Sequence, residues 1–117
     1  MKFNFDTFKD VANLVKSTER YDLYDMKLEH LTLSLTNMNP KQETRGHDHE
    51  GVEEVYFCLE GEGQIQVAEE KIDFKKGDVV TIAPGDFHKV FNPSDSQLIF
   101  FSIFESYDRD SANYSPK

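Results

Sequence analysis

His47 and His49 stand one residue apart in the stretch GHDHEGVEEVYFCLEG, Gly46 to Gly61. On an extended strand, residues so spaced send both rings from the same face. Glu54 follows after four intervening residues and opens the run EVYFCLEG. A second stretch, GDVVTIAPGDFHKVFN (Gly77 to Asn92), delivers His88 just after a Pro-Gly turn. Imidazoles side by side, with a carboxylate brought up by the next strand, suit a divalent transition metal. His47, His49, Glu54 and His88 are therefore the candidate ligands of one metal ion per chain. Three imidazoles and one carboxylate leave open positions on a five- or six-coordinate ion, and the set accepts Mn, Fe, Zn, Ni or Co. An ion with an open position can polarise a carbonyl or generate a hydroxide.

Four further residues could act beside such an ion. Tyr56 and Cys58 share the Glu54 face of their strand. Tyr56 is a candidate proton donor, set against a core aromatic with a satisfied hydroxyl. Cys58 is a candidate substrate contact, set against a small buried hydrophobe. His30 falls on the polar face of its strand and is a candidate base, set against an ordinary surface histidine. Arg45, just ahead of the histidines, could grip an anion, or simply be solvated.

The elements that must position these residues read as short strands. Leu31, Leu33 and Leu35 alternate with His30, Thr32 and Ser34, which is the period of a strand with one apolar face. Leu28 is out of phase, which predicts a bulge or a late strand start. Further strands are predicted at 53–59, 64–67, 72–74, 79–82 and 88–91, separated by turns rich in glycine. The run QLIFFSIFE (Gln97 to Glu105) is apolar on both faces, and its phenylalanines predict burial between sheets or a homodimer contact. Ahead of the strands, Phe8, Val11, Ala12 and Val15 keep helical spacing, so a short helix capped by Asp6 or Thr7 is expected through about Lys16. The polar stretch 17–25 reads as a connector. The chain thus divides into a helix and connector (1–27), a β-barrel (28–105) and a polar tail (106–117). Many short strands with turn signals imply an all-β sandwich or barrel.

Composition narrows the class. A chain of 117 residues makes one domain. Its single cysteine cannot form an internal disulfide. No apolar run reaches the ~18 residues of a membrane span, and the N-terminus lacks the pattern of a signal peptide, so a cytoplasmic protein with no membrane partner is expected. With a net charge of −9 and no basic stripe, the surface repels phosphate backbones, which argues against nucleic acid as a partner. A small-molecule ligand is the expected partner, because a bound dication dominates its local field whatever the surface charge.

The two stretches resemble the paired motifs of the cupin superfamily, in its small single-domain, conserved-barrel form. The first motif, G-x5-H-x-H-x3-4-E-x6-G, is matched by His47, His49, Glu54 and Gly61, with Lys41 in its leading glycine column. The second, G-x5-P-x-G-x2-H-x3-N, is matched by Gly77, Gly85, His88 and Asn92, with Ala83 in its proline column and Pro84 one place later. Glu53 and Glu54 both satisfy the variable spacing, but only Glu54 leaves six residues before Gly61. The resemblance implies an all-β fold, a double-stranded β-helix or jelly-roll barrel, with a short N-terminal helix and one metal in the barrel mouth. It also implies a range of functions. Around H-x-H-x4-E-V-Y-x-x-L-x-G-x-G the chain is similar to phosphosugar isomerases of the cupin type, so a metalloenzyme acting on a sugar, sugar phosphate or keto/hydroxy acid is expected, isomerase- or epimerase-like. An iron-dependent dioxygenase and a non-catalytic binding or sensing module are the alternatives.

Overall fold

The computed structural model describes residues 1–48 and 52–107; His49 and the end of the tail lie outside them. Turn residues recur every few positions, and strands fill the intervals. Among the described residues a single helical turn, α1 (Phe8–Val11), precedes ten strands: β1 (Asn13–Ser17), β2 (Tyr21–Lys27), β3 (Leu31–Met38), β4 (Gln42–Glu43), β5 (Glu54–Glu60), β6 (Glu62–Val67), β7 (Glu70–Lys75), β8 (Val79–Ile82), β9 (His88–Asn92) and β10 (Leu98–Glu105). They form two antiparallel sheets, one of six strands in the order β1-β2-β3-β10-β5-β8 and one of four in the order β4-β9-β6-β7. The inward faces meet over a core that includes Met38, Ile65, Phe74, Ile82, Leu98 and Phe100, the sandwich packing that two half-apolar sheets require.

The alternation in β3 holds, but both of its faces are covered. Leu35 is buried on the outer face against Phe8 and Phe101, while Thr32, Ser34 and Thr36 are buried inside the barrel. β10 repeats the arrangement. Its Leu98, Phe100 and Phe104 are buried, two of them, Phe100 and Phe104, lining an interior cavity with Ser102. Phe101 packs edge-on to Phe8 with ring centroids 5.1 Å apart and to Phe5 at 5.0 Å. The doubly apolar strand therefore lies between the barrel interior and the N-terminal segment of its own chain. Leu28 lies in the β2–β3 turn, where its N–H donates to the Leu31 carbonyl at 2.7 Å, so β3 does start late.

The expected helix through Lys16 is corrected to four residues. Thr7 is the N-cap without a side-chain cap bond, and Ala12 is already extended. Residues 13–17 instead pair with β2 as an edge strand, so of the expected connector 17–25 only residues 18–20 form a turn and the rest belongs to the sheet. A short isolated helix is marginal in water, whereas the open edge of β2 offers a full ladder of backbone partners. Only Phe8 of the supposed helical face is buried; Val11 and Val15 are exposed by 44% and 49%.

A departure from the first motif is absorbed locally, and a matched residue of the second ties two loops together. Lys41, in the leading glycine column, adopts φ +59°, the left-handed region that glycine takes at least cost. Its Nζ donates to the Pro93 carbonyl at 2.8 Å. Asn92 is buried, donates to the carbonyls of Asn39 and Ser96 at 3.0 and 2.8 Å, and accepts from Ser94. These bonds tie the loop before β4 to the loop after β9. Among the described residues no helix is long and apolar enough to cross a membrane.

Candidate metal centre

Backbone pairing holds each of the candidate ligands that the structure describes. His47 and His88 face each other in an isolated antiparallel bridge, exchanging both backbone bonds at 3.0 and 2.9 Å. Residues paired this way project side chains to the same side, and the two rings lie 4.1 Å apart. Gly46 makes the approach possible. Its φ is +80°, and a Cβ there would sit 2.4 Å from the Phe87 ring. Glu54 begins β5 with its side chain inward, 3% exposed.

Glu54 Oε2 lies 2.8 Å from His88 Nε2 and 3.9 Å from His47 Nε2, and the three ligand atoms fall within 4.8 Å of one another. His88 Nδ1 is 3.0 Å from the Asp86 carbonyl. Because a carbonyl only accepts, Nδ1 carries a proton and donates it there, so Nε2, on the Glu54 side, is the nitrogen a metal would take. A carboxylate and imidazole lone pairs so gathered suit a divalent cation. With bonds of roughly 2.0–2.2 Å, the ligand atoms around one ion stand roughly 3–4 Å apart, close to the 2.8 and 3.9 Å separations from Glu54 here. A buried carboxylate also needs a compensating positive charge, which a metal supplies. The residues present fit the ion.

The site opens on the barrel interior. A cavity lined by His47, Glu54 and His88 is walled by Tyr56, Ser34 and Ser102. It leaves about 60 Å³ for the centres of water-sized molecules. Tyr56 stacks on Phe100, centroids 5.4 Å apart, and meets the His88 ring edge-on at 5.7 Å. The cation on the wall, Lys89, is engaged with Glu43 at 2.9 Å.

The remaining sequence candidates are placed differently. Cys58 points inward but belongs to the apolar core and is absent from the cavity wall; its Sγ faces the Glu60 and Gly61 carbonyls. Burial pushes its thiol up to about 11, so it is a neutral side chain at physiological pH, as a small hydrophobe would be. His30 sits in the β2–β3 turn with 83% of its side chain exposed, 3.8 Å from Glu29, because β3 begins only at Leu31. Arg45 is exposed beside the cavity-lining Thr44 and Gly46. His49 lies outside the described residues. The inward hydroxyls, Ser34, Thr36 and Ser102, were not singled out by sequence reasoning. The available signal was the hydroxyl series in β3 and the lone serine in LIFFSIFE, which the register brings opposite one another.

Comparison with known proteins agrees with this construction. The family model described as a cupin domain matches residues 34–104. An uncharacterized protein of Methanocaldococcus jannaschii is 44% identical over 46 residues, 39% of this chain and 37% of that protein. An oxalate-binding protein of Thermotoga maritima is 33% identical over 57 residues, 49% of this chain and 47% of that protein. The matches thus span less than half of each curated relative. The crystal structure of a Thermus thermophilus protein superposes with a TM-score of 0.71 at 28% identity, covering 79% of this chain and 90% of that one. The motifs, the two antiparallel sheets and the match across most of the barrel place the chain in the cupin family.

Proposed function

We propose that this protein holds one divalent transition metal on His47, Glu54 and His88, joined by His49, and uses it to bind a small carboxylic acid inside the barrel. The observation that carries the reading is the convergence of three donor side chains on the cavity wall. The metal, when bound, would supply an electrophilic point for carboxylate oxygens. The chain's own residues do the rest. His47, Glu54 and His88 fix the point of attachment, the Asp86 carbonyl fixes the His88 tautomer, and Phe100 and Phe104 exclude bulk water.

Room and charge favour a two- or three-carbon acid over a sugar phosphate. The cavity is small, with about 60 Å³ open to the centres of water-sized molecules. Its lysine is already engaged by Glu43, so among the described residues of the wall no cation stands ready for a phosphate. The similarity to an oxalate-binding protein supports an acid of this size. Tyr56 supports a second reading, in which the bound acid is also turned over. Its hydroxyl belongs to the cavity wall two residues along the strand from Glu54, and it would hold or deliver a proton.

Elemental analysis of chain purified without chelator or metal-binding tag tests the first reading. About one transition metal per chain is expected in the wild type, falling to background in His88→Ala and in Glu54→Gln. Full occupancy in both variants would sink the site. The half-buried outer residues Leu33, Phe57 and Ile103 also support pairing with a second copy of the chain. Sedimentation showing only monomer at micromolar concentration would remove that proposal.

A further inference from the structure

The inner face of the six-stranded sheet carries an unusual row. The ladder pairs Asp25 with Ser34, Ser34 with Ser102, and Ser102 with Tyr56. All four side chains point into the barrel, and their exposures are 4%, 1%, 5% and 6%. Burying polar groups in a sandwich interior is costly unless they are bonded. The rows on either side mix polar with apolar side chains, Leu23, Thr36, Phe100 and Cys58 in one and Thr32, Phe104 and Glu54 in the other, whereas this one carries a polar group at every position. Ser34, Ser102 and Tyr56 line the cavity; Asp25 stands behind Ser34.

The Ser34 hydroxyl donates to Asp25 Oδ1 at 2.7 Å. A hydroxyl has one proton and two lone pairs. With its proton committed to Asp25, Ser34 offers the cavity lone pairs alone. Resting on the small-acid reading above, we propose that Asp25 polarises Ser34 as a hydrogen-bond acceptor, so that the site selects a ligand bearing a hydroxyl, a 2-hydroxy acid. A fully ionised dicarboxylate of the same size presents only acceptors and meets Ser34 lone pair to lone pair. A site built around a ligand hydroxyl discriminates strongly against analogues that lack it. Asp25 is thus a positioning residue and Ser34 a specificity contact.

The test is calorimetric titration of the manganese-loaded full chain with glycolate and with oxalate. The two acids differ in intrinsic chelating strength, so the readout is the change in the ratio of their dissociation constants between variants. Ser34→Ala removes the acceptor, and the ratio should move about tenfold towards oxalate. In Asp25→Asn the new amide can donate to Ser34 and release its proton to the cavity, so the ratio should move at least as far in the same direction. Metal content per chain, measured alongside, should not change. A ratio that stays within about twofold of wild type, or moves towards glycolate, overturns the proposal. If Asp25→Asn does not fold, Ser34→Ala decides alone. A metal-loaded wild type that binds neither acid would overturn the small-acid reading and this inference together. Binding of both acids with an unmoved ratio would overturn this inference only.

Discussion

At the scale of single residues, position in the barrel decides which side chains keep their chemistry. Glu54, Tyr56 and Cys58 alternate on one strand and all point inward, yet they meet different surroundings. Glu54 finds two imidazoles, Tyr56 an aromatic shelf, and Cys58 an apolar core. This difference could not be read from the sequence, because period two fixes the face but not the depth along the strand. For Cys58 it has a measurable consequence. Desolvation by burial, the largest cause, raises its pKa from 9.0 to about 11, with Asp78 and Glu60 adding to the rise. A thiol raised on folding stabilises the fold fully below the unfolded value and loses that contribution as pH climbs towards the folded one. Between pH 9 and 11 the wild type should therefore lose stability faster than Cys58→Ala. Urea melts of both proteins across that range check it; parallel curves would show that the thiol is not held neutral. Below pH 8 the native thiol should also resist aromatic disulfide reagents until denaturant is added.

At the scale of elements, the strands around the histidines were legible and the N-terminus was not. The predicted strand at 79–82 coincides with β8, and β5, β9 and β10 differ from expectation by a residue at their ends. Those segments are apolar runs bounded by clear turn signals, so local pattern and tertiary pairing agree. In residues 8–16 they disagree. The apolar spacing 8, 11, 12, 15 has the helical period, but pairing with the edge of β2 overrides it. What survives of the helix is one turn whose use is to seat Phe8 on Phe101. Phe8 is wholly buried, between Phe3 at 5.4 Å and Phe101 at 5.1 Å. Phe8→Ala should destabilise the fold by about 3–5 kcal/mol, the cost of emptying such a site. By contrast, Val11→Ala on the same turn should change stability by less than about 1 kcal/mol, since Val11 is largely solvated. Chemical denaturation of the two variants separates the outcomes. Equal effects would mean that the segment is held by its helical face after all.

At the scale of the molecule, the class was legible because glycine turns, strand periodicity and two histidine segments all pointed to one barrel. The interior was less so. An alternating strand reads as one face in and one face out, and the hydroxyls of β3 looked outward on that rule. They are inside because this barrel encloses a cavity beside its apolar core, and a cavity can be walled with polar groups. That arrangement leaves the centre of the molecule with less apolar packing than a filled sandwich, and with a buried carboxylate beside two imidazoles. A cation bound there adds its binding free energy to the stability of the fold, provided the unfolded chain binds it poorly. At a free metal concentration of 100 times the dissociation constant the gain is about 2.7 kcal/mol. Chelator-stripped protein should therefore melt several degrees lower than protein returned to manganese, zinc or iron, and the gap should widen with metal concentration. The same titration on His88→Ala should be flat, since the substitution removes a ligand while sparing Asp86, Tyr56 and the β9 ladder. A melting temperature that rises equally in both proteins would place the stabilising ion elsewhere on the acidic surface. A rise confined to the wild type would tie the stability of the barrel to the three side chains that converge on its cavity.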